Sequence, residues 1–284
     1  MAKFKLKHAR TLRAGEGFRL ADMDPGSTPG FDGDEDDLQE RFEKYDEELY
    51  DLQELLFANS RANPDTTPSI LLVLQGMDTS GKGGVIRKVM GVFDPQGVDS
   101  IGFGAPTEEE KQHDFLWRIE RHVPRAGRIV AFDRSHYEDV LIQRVHGWVD
   151  EQEVTRRIEA IQDFEKRLAD AGTRIIKVML HISKDFQKEN LLERLEDPEK
   201  HWKYSTGDLD ERALWDDYMA AYEDAIARTD ADHAPWYVIP SDNKDYARTA
   251  VKFLLVDALR GMELSWPEAD FDVAAELERV RNAE

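Results

Sequence analysis

No cysteine occurs among the 284 residues, which excludes disulfide staples, thiolate catalysis and cysteine-zinc sites. That usage is the one expected of a cytoplasmic protein. Long apolar runs are missing as well, and nothing approaches the roughly 20 residues needed to cross a bilayer. The basic stretch Lys3-Phe4-Lys5-Leu6-Lys7 has no apolar core behind it and so lacks the pattern of a signal peptide. Positive charge is scarce. Lys and Arg number 38 against 59 Asp and Glu, a net charge of −21. Such a surface repels nucleic acid and lipid headgroups, and neither is expected as a general partner. Any polyanion bound here must meet a local concentration of cations. Apolar material, by contrast, is ample: 40% hydrophobic residues over this length can bury one substantial core.

The most informative stretch is Leu71-Leu72-Val73-Leu74 running into Gln75-Gly76-Met77-Asp78-Thr79-Ser80-Gly81-Lys82-Gly83-Gly84. From Gly76 to Lys82 it has the G-x-x-x-x-G-K spacing of a phosphate-binding loop. Glycine lets the backbone wrap closely around a phosphate, so that N–H groups converge on it at a helix N-terminus. Thr79, Ser80, Gly81, Gly83 and Gly84 are therefore phosphate-binding candidates. Lys82 adds a full charge where the β/γ oxygens of a phosphate chain lie. The Ser or Thr that usually follows this lysine and ligates Mg²⁺ is Gly83 here. Asp78 is the candidate replacement, because Mg²⁺ is held by one or two carboxylates plus substrate phosphates. A glycine-rich helix start without function is the alternative.

A second motif, Arg128-Ile129-Val130-Ala131-Phe132-Asp133-Arg134-Ser135, is a short apolar run ending in an acid. A buried parallel strand delivers a carboxylate to the sheet's C-terminal edge in this way. Many strands end in Asp for turn chemistry alone. Downstream of a phosphate loop, Asp133 reads as a second metal-directed acid and Arg134 as a phosphate ligand. Together the motifs predict phosphoryl transfer, with Asp78, Lys82, Asp133 and Arg134 as catalytic residues. Asp78 and Asp133 would place Mg²⁺, or Mn²⁺ in its stead.

Residues 1–34, interrupted by glycine and proline, are expected to be an irregular arm lying on the core or on a neighbouring subunit. Apolar residues at intervals of three or four predict a helix over about 35–58, its stripe facing either the core or a subunit interface. Strands are expected at 69–75, 100–103, 127–132, 174–182 and 236–240. The phosphate loop and the helix after it are expected to occupy 76–92, and further helices are expected over 107–122 with a capping box at Thr107, and over 135–145, 151–171, 185–196, 208–229, 243–260 and 266–282. Alternating strands and helices predict an α/β fold: a five-stranded parallel sheet with helices on both faces, in three layers.

On the Gly76–Gly84 loop, on Asp133-Arg134-Ser135-His136-Tyr137-Glu138-Asp139 and on Asp197-Pro198-Glu199-Lys200-His201-Trp202-Lys203, the chain resembles the family-2 polyphosphate kinases over roughly residues 35–260. The resemblance implies a P-loop kinase domain over 35–284 with an α-helical lid at about 185–210. It implies Mg²⁺-dependent, reversible transfer of the terminal phosphoryl group of inorganic polyphosphate to a nucleoside mono- or diphosphate, and a homodimer or homotetramer. Arg194, Lys200 and Lys203 match the basic residues of the lid that close over the polyphosphate. Two features pull the acceptor in opposite directions. The motifs as a whole look like the branch that accepts both AMP and ADP, whereas Asp133 and Gly83 are residues of the ADP-preferring branch.

Several residues keep two readings. Glu138 and Asp139 are either solvated helix acids or nucleotide contacts. Trp117 and Trp202 could each stack a nucleobase, with core packing the other reading for Trp117, while His136 has a structural or hydrogen-bonding role. The cations at 194–203 are either a lid or an ordinary surface. Asp242-Asn243-Lys244-Asp245 fails as a base-recognition motif, because Tyr246 stands where an acid is needed. The functional alternatives are an ATP-dependent nucleotide kinase of the same fold and a non-catalytic nucleotide-binding switch.

Overall fold

The computed structural model describes residues 4–283, so Met1 to Lys3 of the expected arm lie outside the described residues. Five parallel strands form one sheet, in the order β2-β3-β1-β4-β5: β1 is Ser69–Gln75, β2 Val98–Gly102, β3 Ile129–Asp133, β4 Thr173–His181 and β5 Trp236–Pro240. β1 takes the centre because all seven of its residues can be buried. Ile70, Leu72 and Leu74 enter one core, and Leu71 and Val73 enter the other, as the period of two requires.

The helices are α1 Leu6–Arg10, α2 Glu35–Glu43, α3 Asp46–Ala62, α4 Lys82–Lys88, α5 Trp117–Glu120, α6 Ile142–Val145, α7 Glu151–Asp170, α8 Lys184–Glu196, α9 Gly207–Ala213, α10 Trp215–Thr229, α11 Lys244–Arg260 and α12 Val273–Arg281. On the Leu72 face, α1 to α4 and α11 pack through Ala9, Leu38, Leu49, Leu56, Val85 and Phe253. On the Val73 face, α7 and α10 pack through Ile158, Ile161, Tyr222 and Ala225. That makes three layers. From β1 the chain goes first to β2 and β3 on one side, then to β4 and β5 on the other. The order therefore reverses beside the C-terminal end of β1, where open α/β sheets bind ligands.

The structure corrects several expected elements. The helix expected over 35–58 is two helices broken at Lys44-Tyr45. The buried Lys252 ammonium donates to the Phe42 carbonyl (2.9 Å) and satisfies the end of α2. Its apolar stripe lies in the core, with Leu38, Leu49 and Leu56 all buried. The capping box at Thr107 forms in both directions (2.7 and 3.2 Å), yet no long helix follows. Residues 107–114 have no apolar stripe to bury, and Asp114 starts a new turn by accepting from the Leu116 N–H (3.1 Å). The segment expected over 208–229 turns at Leu214, which separates α9 from the buried face of α10. The helix expected from Ser135 is a 3-10 turn, His136–Asp139, followed by α6. As expected, 76–92 holds the loop followed by α4, with a 3-10 turn at Met90–Val92, whereas the final helix begins only at Val273, where Asp272 caps it.

The arm is less irregular than expected and is joined to the protein's own core. It contains α1, buries Phe4, Ala9 and Leu12, and runs along β5. Ala14 N–H donates to the Trp236 carbonyl (2.9 Å) and Val238 N–H to the Leu12 carbonyl (3.0 Å).

Candidate active site

Beyond Gln75 the chain enters a turn that excludes side chains. Gly76 has φ +142°, and a Cβ there would come within 2.6 Å of the Leu180 carbonyl oxygen. Thr79 (φ 70°) and Gly81 (φ 105°) are also left-handed. Three elements hold this turn in place. Gly76 N–H donates to the buried Tyr222 hydroxyl (3.2 Å), the Ser241 hydroxyl donates to the Ser80 carbonyl (2.9 Å), and the Gln187 amide donates to the Asp78 carbonyl (3.2 Å). Lys82 is buried and donates to the Gly76 and Met77 carbonyls (2.6 and 3.2 Å). Burial lowers the pKa of its ammonium, against the opposing pull of Asp78. The Thr79 and Ser80 hydroxyls are buried without a partner, as donors awaiting a ligand would be. A side chain at Gly83 would meet nothing within 4 Å, so the usual metal-ligating hydroxyl is absent although there is room for it.

Strand register brings the second motif to this loop, because Leu74 pairs with Asp133 across β1 and β3. Arg134 is left-handed (φ 64°) and donates through Nη2 to Asp78 Oδ1 at 3.0 Å. Both motifs open into one cavity of about 820 Å³, lined by residues 78–84, Asp133 and Arg134 and by Arg194, Lys200, Trp202 and Lys203 from the far wall. Eight Lys and Arg face four Asp and Glu in that lining, the reverse of the chain's overall balance. On the far wall Arg194 donates to the Lys203 carbonyl (2.9 Å) and lies 3.4 Å from Asp208. Lys200 pairs with Glu193 (2.6 Å) and Asp197 (3.0 Å). No ion pair engages Lys203 among the described residues, and its ammonium lies 5.1 Å from the centre of the Trp202 ring.

A switch-point loop that carries one acid, a second acid at a strand end and a cation-lined cavity describe a site for phosphate chains. A model of the family Polyphosphate kinase 2 (PPK2) matches residues 39–266. The chain belongs to that family. It is 45% identical to an AMP/ADP-polyphosphate phosphotransferase of Meiothermus ruber over 253 residues, 89% of this chain and 92% of that one. It is 41% identical to an ADP-polyphosphate phosphotransferase of Rhodopseudomonas palustris, over 83% of each chain. The crystal structure of polyphosphate kinase 2 from Arthrobacter aurescens TC1 superposes with a TM-score of 0.95 at 55% identity, covering 100% of this chain and 99% of that one.

In this PPK2-family chain the cavity holds cations that sequence reasoning missed: Arg87, Lys244 and Arg248. Signals for them existed. Arg87 lies one helical turn beyond Gly83, and Lys244 and Arg248 stand four apart on the helix leaving β5, so each pair shares a helix face. The absent side chain of Gly84 leaves room for Arg248, whose guanidinium would lie 3.0 Å from a Cβ there. Nothing in the sequence marked Tyr222, Gln187 or Ser241 as supports of the loop.

Glu138 and Asp139 do not line the cavity, and the buried Asp139 is not the solvated helix acid of the simpler reading. Asp139 pairs with Arg157 (3.2 Å), and burial pushes its carboxyl up to about 6. Burial also raises Glu138, against the pull of Arg134 and Lys82. Trp117 lies outside the core, half-exposed and stacked on the His113 ring at 4.0 Å. Trp202 is 79% exposed at the cavity rim.

The donor set suits a hard cation. Asp78 and Asp133 line the same cavity, and no group of three or more metal-binding side chains exists among the described residues. Two carboxylates completed by substrate oxygens are the environment Mg²⁺ takes in phosphoryl-transfer sites. Among the described residues no helix is long and apolar enough to cross a membrane.

Proposed function

We propose that this chain transfers the terminal phosphoryl group of inorganic polyphosphate to ADP, and also to AMP, reversibly and in the cytoplasm. The observation that carries this reading is the eight-cation cavity over the phosphate loop in a chain of net charge −21. Phosphoryl transfer asks for positioning and charge neutralisation more than for covalent chemistry. The Thr79 and Ser80 hydroxyls, the N–H groups of Gly81 and Gly83 at the start of α4 and the Lys82 ammonium receive the oxygens of the transferred group. Arg134 neutralises charge that develops between donor and acceptor. Arg194, Lys200 and Lys203 form a lid over the rest of the polyphosphate, joined by Arg87, Lys244 and Arg248. Asp78 and Asp133 would hold Mg²⁺, or Mn²⁺ in its place, which supplies charge neutralisation at the phosphate oxygens when bound. Glu138 and Asp139, which do not line the cavity, lie outside this set of contacts.

Acceptor choice follows from the two named relatives, one acting on AMP and ADP and the other on ADP. Homo-oligomerisation to a dimer or tetramer belongs to the same reading and is measured by light scattering. The deciding assay supplies purified protein with Mg²⁺ and compares AMP, ADP, GMP and GDP as acceptors, with polyphosphate or ATP as donor. Polyphosphate-dependent formation of ATP from ADP is expected. Turnover with ATP alone, with polyphosphate ignored, would make the chain an ATP-dependent nucleotide kinase instead.

A further inference from the structure

Two residues beyond Arg134 the chain enters a buried cluster of charges that does not line the cavity. Lys177 on β4 and Glu165 on α7 form an ion pair at 2.6 Å, with both side chains inside the protein. The three N–H bonds of the ammonium go to Glu165 Oε2 (2.6 Å), the Tyr137 hydroxyl (3.0 Å) and the Thr229 carbonyl (2.8 Å). Tyr137 has one proton and two acceptors at 2.9 Å, Glu165 Oε1 and Thr229 Oγ1. Thr229 Oγ1 already accepts from Trp236 Nε1 (2.9 Å), so the carboxylate, a stronger acceptor, takes the Tyr137 proton.

His136 Nε2 lies 3.3 Å from the same carboxylate oxygen. Burial lowers the imidazole pKa against the pull of Glu165, so the ring is neutral with its proton on Nε2, and Nδ1 has no partner. Burial alone would raise Glu165, but Lys177 and His136 more than offset it and keep the carboxyl below its usual range.

A buried ion pair contributes little stability beyond what apolar packing of the same volume would give. What it fixes is orientation, and here it fixes the start of the His136–Asp139 turn. Arg134 stands just before Ser135, the cap of that turn, with φ 64°, a conformation a non-glycine residue keeps only where its surroundings over-determine it. On one side Arg134 N–H is held by the Leu74 carbonyl (3.0 Å). On the other, the buried Ser135 hydroxyl accepts from Tyr137 N–H (3.2 Å), and the His136 and Tyr137 side chains are both clamped by Glu165.

We infer that the Glu165–Lys177 pair, acting through His136 and Tyr137, is a positioning device that holds Arg134 in its left-handed conformation toward Asp78 and the transferred phosphoryl group. Glu165, Lys177 and Tyr137 are thus positioning residues for the reaction, and the inference rests on the phosphotransferase reading above.

The test uses Glu165→Gln, which keeps the shape and removes the charge, and Tyr137→Phe, which deletes one hydroxyl and spares the ion pair. Kinetics with polyphosphate and ADP are measured beside thermal unfolding of the same full-length samples. Per folded molecule, kcat should fall about tenfold in Glu165→Gln and about threefold in Tyr137→Phe, with both KM values within about twofold of wild type. In an Arg134→Lys background, Glu165→Gln should add little, because both changes act through one contact. Three results overturn the inference: a lower Tm with unchanged kcat per folded molecule, a loss carried by KM alone, or a loss that multiplies in full on Arg134→Lys. Should Glu165→Gln not fold, Tyr137→Phe alone and combined with Arg134→Lys decides by the same criteria. Failure of the underlying reading is seen separately, as a wild-type protein that shows no polyphosphate-dependent turnover.

Discussion

Lys82 and Lys203 line one cavity under opposite conditions. Lys82 is 8% exposed, its ammonium tied to two loop carbonyls, and the loop beneath it is held by side chains from α8, α10 and the end of β5. Lys203 sits on a 3-10 turn between α8 and α9, unpaired among the described residues, beside a tryptophan that is 79% exposed. One wall is over-determined and strained, with Gly76, Thr79, Gly81 and Arg134 at positive φ. The other is made of short elements tied mainly to each other, as Arg194 is to the Lys203 carbonyl and Lys200 to Glu193. The difference teaches a division of labour. A reacting phosphorus tolerates little misplacement, since an ångström of error can cost two orders of magnitude in rate. A repeating chain of identical charges asks only for cations at roughly the right spacing, so an adaptable wall suffices.

The sharpest way to break this comparison is at Lys82. Lys82→Ala should leave the fold intact and cut turnover by about tenfold to a hundredfold, the usual worth of one transition-state charge contact. A folded variant with near-normal kcat would place the reacting phosphate elsewhere. Next come the two acids of the same wall. Asp78→Asn should lower the rate severalfold and raise the Mg²⁺ needed for half-maximal activity, and Asp133→Asn should do so more strongly, toward about tenfold. Wild-type rates and an unshifted Mg²⁺ titration in both would remove the metal from this wall.

On the adaptable wall the losses should be smaller and differ in kind. Arg194→Ala or Lys203→Ala should raise the KM for polyphosphate about threefold to tenfold and leave that for ADP nearly unchanged, since half-exposed charge contacts are worth about 1 kcal/mol. Because such charges are screened beyond about 8 Å at physiological salt, polyphosphate binding should also weaken steeply as salt is added. Equal or greater damage to ADP would assign this wall to the nucleotide.

The smallest effect concerns stability behind the rigid wall. Asp139 keeps its proton to about pH 6 when folded, against an ordinary value of 3.8. Between those values the folded state holds a proton that the unfolded chain has released, so this contribution to stability is complete below the lower value and lost as pH rises through the upper one. Asp139→Asn has no such proton to lose. The stability of the variant relative to wild type should therefore rise by about 1–3 kcal/mol from pH 4 to 6 and then level off, as denaturant titrations across that range would show. A flat difference would mean that Arg157 fully compensates the burial.

Where the sequence could be read, the information was contiguous. The runs Ile70–Leu74 and Ile129–Phe132 are apolar because both faces of a parallel strand are buried, Gly76 marks a turn with no room for a Cβ, and Gly81 one whose φ of +105° disfavours a side chain. Errors gathered where a side chain from far along the chain intervened. Lys252 stops α2 by taking the Phe42 carbonyl, although it lies 210 residues away in sequence. The acids at 138 and 139 looked like exposed helix residues because nothing local shows that Glu165 and Lys177 draw Tyr137 inward and make the turn 3-10.

The sequence by itself determined the alternating strands, the phosphate loop with its missing hydroxyl at Gly83, the second acid at Asp133 and the basic segment from Arg194 to Lys203. These are properties of neighbouring residues, because backbone conformation and periodicity are set over a few positions. Only the tertiary structure decided that Arg87, Lys244 and Arg248 share the cavity with them, that Tyr222 and Ser241 carry the loop, and that a buried ion pair lies behind Arg134. Parallel pairing of β3, β1, β4 and β5 is what brings these distant strand ends to one edge. No local pattern records that convergence, because the residues involved meet only after the sheet has closed.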